Sequence, residues 1–68
     1  MVDFPTTVQL VHESYRELGG EYQTEDAAQE LMSFASDIWN ENKEELKAAA
    51  KEVAKTAIKK AVRRRYGA

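Results

Sequence analysis

The chain has no cysteine, one proline and three glycines in 68 residues. Without cysteine there is no disulfide to brace a small fold and no thiolate to take a metal. Between Gly20 and Gly67 neither glycine nor proline interrupts the chain, so nothing there forbids helix. The longest aliphatic run is Ala48 to Ala50, far short of the ~20 apolar residues that a membrane span needs. The start, MVDFPTT, has neither a basic head nor an apolar core, and no secretory signal is expected. These absences predict a cytoplasmic or virion-associated protein without a membrane partner.

Catalytic patterns are missing as well. No HExxH, GxGxxG or GxxxxGK[ST] occurs, and a lone histidine, His12, lacks the spacing of a metal site. Ser14, Ser33 and Ser36 lie in helical sequence without a nucleophile elbow. Glu13, Glu17, Glu21, Glu25 and Glu30 read as a solvated acidic face, because a catalytic carboxylate pair needs a pocket to separate its pKa values. The expectation is no enzyme, no cofactor and no metal.

What the chain does have is charge, unevenly placed. Residues 1–42 carry nine acids against Arg16 alone, and residues 43–68 carry nine bases against Glu44, Glu45 and Glu52. The net charge of −2 hides this polarity. Residues 43–66 read in fours, KEEL, KAAA, KEVA, KTAI, KKAV, RRRY. On a helix, rows at i, i+4 form ridges. One ridge is cationic, Lys43 to Arg63. Beside it run the apolar ridges Leu46, Ala50, Ala54, Ile58, Val62 and Ala49, Val53, Ala57, Ala61. A ridge of this period rotates ~40° per block, so it cannot stay against one parallel neighbour.

The fold class expected is all-α, a small helical bundle or hairpin of about three helices in one domain. Residues 1–6 form a leading segment. Helix 1 spans 7–18, with Thr6 as cap and Val8, Val11, Tyr15 and Leu18 as its apolar stripe. Gly19 and Gly20 stop it. Helix 2 runs over 25–40 behind a Thr24 cap, with Ala27, Leu31, Phe34 and Ile38 in one row and Ala28, Met32, Ala35 and Trp39 widening it. Asn40-Glu41-Asn42 marks a break, Asn42 and Glu45 standing in capping spacing, and the basic helix 3 spans 43–65. The competing reading is one unbroken helix from 25 to 65. Tyr15, Tyr22, Met32, Phe34 and Trp39 are assigned to the core.

Function is read from the basic end. Lys55, Lys59, Lys60, Arg63, Arg64 and Arg65 repel one another at helical spacing, and no acid follows Glu52. Phosphates would relieve the repulsion and release counterions, giving salt-sensitive, nonspecific binding. Tyr66 could stack on a base. The expectation is a nucleic-acid-binding homo-oligomer, with Phe34, Ile38, Trp39, Leu46, Val53 and Ile58 at its interface. The alternative is a structural subunit, for example of a virion or filament, in which the acidic half of one copy meets the basic helix of the next. In that case the partner is an acidic protein surface.

Two layouts bear comparison. GGEYQTEDA (Gly19 to Ala27), a long helix and then AVRRRY resemble archaeal histones, which pair as dimers and bind DNA without sequence specificity. The Arg and Thr loop between their second and third helices has no counterpart here. The acidic-first, basic-last order is similar to filamentous phage coat proteins, but their continuous apolar middle is missing. Neither resemblance assigns a family.

Overall fold

A computed structural model describes residues 2–20 and 25–67. Among these there are three helices and no strand: α1 (Phe4–Glu17), α2 (Glu25–Ala48) and α3 (Lys51–Tyr66). The expected Thr24 cap and the place of Tyr22 lie outside the described residues.

Helix α1 starts a turn earlier than its sequence suggests. Asp3, not Thr6, is the cap: its Oδ1 accepts from the Thr6 N–H at 2.9 Å. Its carbonyl accepts from the Thr7 hydroxyl at 2.9 Å and the Thr7 N–H at 3.0 Å. Pro5 fits because first-turn residues have no intrahelical use for an N–H. At the other end the two glycines differ in what they contribute. Gly19 sits at φ +86°, a left-handed conformation costly for a side chain. The N–H groups of Gly19 and Gly20 bond to the carbonyls of Arg16 (3.0 Å) and Tyr15 (3.1 Å), closing a Schellman motif. A Cβ on Gly20 would come within 2.4 Å of the Tyr15 ring, so its bareness makes room for that ring.

The expected break at residues 40–42 is present as a kink, and a second, full reversal comes later. Asn42 leaves helical geometry (φ −122°, ψ 18°), yet α2 continues to Ala48. Its side chain caps nothing ahead; its Nδ2 donates backward to the Ile38 carbonyl at 3.1 Å. The chain reverses at Ala49-Ala50, with Ala50 extended at ψ 152°. Residues 43–66 are therefore not one rod. Alanine is the best helix former, so local preference opposes this break and packing must impose it. A single helix over 25–66 would be ~63 Å long, whereas the molecule measures 34 Å along its longest axis.

Helix α1 is the packing centre, in contact with both α2 and α3, while those two touch each other little. Val2 donates to the Leu46 carbonyl at 3.3 Å, and the Phe4 ring meets Trp39 edge-on at 6.1 Å. Farther along, Tyr15 meets Tyr66 at 5.1 Å, and Tyr66 meets Phe34 at 5.7 Å. So α1 runs antiparallel to α2 and parallel to α3. The core joins Val2, Leu10 and Val11 to Leu31, Ala35, Ile38 and Leu46 of α2 and to Ala54, Ile58 and Val62 of α3. The stripe expected on α1 is rotated: Thr7, Leu10, Val11 and Ser14 are buried, and Leu18 is exposed. Being covered on two sides, α1 needs a wider buried face than a one-sided amphipathic pattern supplies.

The reversal can be tested by sign. Ala50 is exposed and caps α3 without any side-chain hydrogen bond. Ala50→Asp is expected to stabilise the fold to urea by about 1 kcal/mol. Were residue 50 inside a continuous helix, the same change would destabilise it by about 0.5 kcal/mol through lower helix propensity.

Candidate functional site

Because α3 buries the ridge Ala54, Ile58, Val62 toward α1, its neighbouring ridge is left facing α2. That ridge is made of small residues: Ala49, Val53, Ala57 and Ala61. Opposite them α2 presents Glu41, Asn42 and Glu45, which have no reason to leave water. Neither side can fill the space, and a groove of about 760 Å³ lies between the helices. Ile38, Leu46 and Ile58 form its apolar base, and Val53, on its wall, is 63% exposed. Glu41 and Glu45 make an acidic rim on α2, and Lys60 and Arg64 a basic rim on α3. Among the described residues no ion pair joins Glu41 or Glu45 to Lys60 or Arg64.

One end of the groove is held shut. Arg65 lies over the Phe34 ring, 4.9 Å from its centroid, and 3.9 Å from a Glu30 carboxylate oxygen. Cation–π contact and a loose ion pair thus tie the end of α3 to α2. The residue expected to stack on a base is engaged elsewhere. Tyr66 packs half-buried on the core, its ring met edge-on by both Tyr15 and Phe34.

The remaining cations wrap around α3, as the ~40° drift per block requires. Lys59 turns toward α1 and pairs with Glu17 at 2.9 Å. This hydrogen bond, the Lys59 charge, and then Lys55 hold the Glu17 carboxyl below its ordinary pKa. Both partners are nearly half exposed, so solvent screens the pair. Thr56, Lys59, Lys60 and Arg63 border a shallow hollow on the outward side of α3. Lys55, Lys60, Arg63 and Arg64 are exposed, and among the described residues none has a carboxylate at ion-pair distance.

The residues expected at an interface divide. Phe34 and Val53 line the groove; Ile38, Leu46 and Ile58 line it too but are buried. Trp39 lies off the groove, against Phe4. The acidic rim was missed, although Glu41 and Glu45 carry a signal: they are i, i+4 on α2, one row beside Ile38 and Asn42. His12 is half-buried, and burial lowers its pKa. Among the described residues no cluster of His, Asp or Glu could hold a metal, and no helix is long and apolar enough to cross a membrane. No family model, curated protein or solved structure matches the chain.

Two measurements check this arrangement. The Tyr66 hydroxyl is buried and has no hydrogen-bond partner among the described residues, so Tyr66→Phe should leave thermal stability unchanged or raise it by up to about 1 kcal/mol. The Glu17–Lys59 pair contributes stability above the unfolded pKa of Glu17, because the folded value is lowered, and loses it as pH falls through that folded value. The stability gap between wild type and Lys59→Met is therefore expected at neutral pH and should close below the ordinary value of 4.5.

Proposed function

We propose that the protein is a non-enzymatic nucleic-acid-binding protein that holds the phosphate backbone on the exposed cations of α3. One observation carries the reading: Lys55, Lys60, Arg63 and Arg64 are solvent-exposed cations with no carboxylate partner among the described residues. The whole of α3 has seven bases against Glu52. Like charges at helical spacing repel, and a row of phosphates relieves that repulsion while releasing counterions. Arginine adds forked contacts to phosphate oxygens. With Tyr66 packed against the core, the remaining contacts are to backbone, which positions a nucleic acid without reading its sequence.

The contact set is narrower than all six cations. Lys59 is shared with Glu17, and Arg65 is held by Phe34 and Glu30. Binding of duplex and single-stranded oligonucleotides at about 50 and 200 mM salt tests the reading. Affinity should fall with salt. Replacing Lys60, Arg63 and Arg64 by Ala should flatten the log–log salt dependence by ~2–3, about one for each phosphate no longer neutralised. Arg65→Ala should leave that slope unchanged. Absence of binding at the lower salt rejects the proposal.

The second reading, an assembly subunit in which acidic and basic surfaces of different copies meet, is favoured by the groove. Its two rims carry opposite charge and do not satisfy each other.

A further inference from the structure

We propose that the groove between α2 and α3 is covered by the same groove of a second copy, in a closed two-fold dimer whose axis runs along the groove. The inference deepens the assembly reading and does not depend on nucleic-acid binding.

The first ground is apolar exposure. Val53 is 63% exposed, and exposed Ala57 continues the same surface. A contiguous apolar strip rimmed by charge marks a contact surface. Small side chains along it let a second pair of helices come close. A chain of 68 residues buries only ~60% of its unfolded surface by itself, so covering this strip adds core where the monomer has least.

The second ground is the charge layout. Helices α2 and α3 run antiparallel along the groove, joined at Ala49-Ala50 and tied at the far end by Arg65 on Phe34. The acidic rim, Glu41 and Glu45, follows one side, and the basic rim, Lys60 and Arg64, the other. A closed dimer must be self-complementary. Rotation about an axis along the groove lays α2 of each copy over α3 of the other at the same height, so Glu41 of each copy meets Lys60 of the other, twice, the two being within about two residues, ~3 Å, of level. An axis across the groove would put α2 on α2 and α3 on α3, like charge on like. The charges thus select one of the two face-to-face arrangements. A long-chain anionic amphiphile would suit the basic rim but would set its tail beside Glu41 and Glu45. A second copy answers both rims.

Sedimentation equilibrium of the full chain tests this. The mass should plateau at twice the 7.7 kDa of one chain. Val53→Asp should give a monomer whose helical circular dichroism is unchanged. Glu41→Lys and Lys60→Glu should each weaken the dimer several-fold, since each places two lysines or two glutamates across the axis. An equimolar mixture of these two variants should recover it, because both cross-contacts then join unlike charges. A wild-type monomer up to about 1 mM overturns the dimer and the assembly reading together. Mass that keeps rising past two copies overturns the closed geometry alone. A folded Val53→Asp variant that still dimerises, or a mixture that recovers nothing, also rejects this groove as the interface. A wild-type monomer that binds a fluorescent long-chain fatty acid, with binding lost in Val53→Asp, assigns the groove to an amphiphile instead.

Discussion

Everything in this fold depends on α1 being buried from two sides. Leu10 and Val11 are almost wholly buried, and small Thr7 and Ser14 extend the same buried face. Leu31, Ala35 and Ile38 approach from α2, and Ala54, Ile58 and Val62 from α3, completing one apolar cluster. Domains of this size stand only about 3–10 kcal/mol above unfolding, so a single shared wall can decide the topology. With α1 as that wall, α2 and α3 have little need of each other, and the groove between them follows.

The same constraint explains the turn through Ala49-Ala50. Helix propensity favours continuing through KAAAK, but a continued helix would carry Ile58 and Val62 away from α1. Burying such side chains is worth ~1.5–3 kcal/mol each, whereas stopping a helix forfeits less than that per residue. Packing therefore overrides propensity. Val2 then uses the reversal, donating to the Leu46 carbonyl, which also accepts from the Ala49 N–H. The kink at Asn42 is a lesser event, absorbed by the backward bond from its own side chain.

Charge is segregated by helix. Seven acids and two lysines lie on α2, and seven bases and one acid on α3. The fold sets these helices side by side without bringing most of their charges into contact. It ties down Lys59 through Glu17 and Arg65 through Glu30, which fastens α3 to both neighbours. The other cations remain turned to solvent or to the groove. A surface of this kind is suited to polyanions through its exposed cations and to its own image across the groove, and the two uses share Lys60 and Arg64.

The all-helical class, the three helices, the Gly19-Gly20 stop and the ridge Ala54, Ile58, Val62 are legible from periodicity and turn chemistry, which act over a few residues. The segregation of charge is legible in the same way. The earlier start of α1 could have been read from Asp3 ahead of Phe4-Pro5, since that aspartate caps and that proline sits in a first turn. The inward place of Tyr66 could not: it depends on Tyr15 and Phe34, distant in the chain. Nor could the reversal at Ala49-Ala50, because every local preference there favours helix, and only the gain from closing α3 onto α1 outweighs it. The groove, with its opposed rims, exists solely as a consequence of that closure.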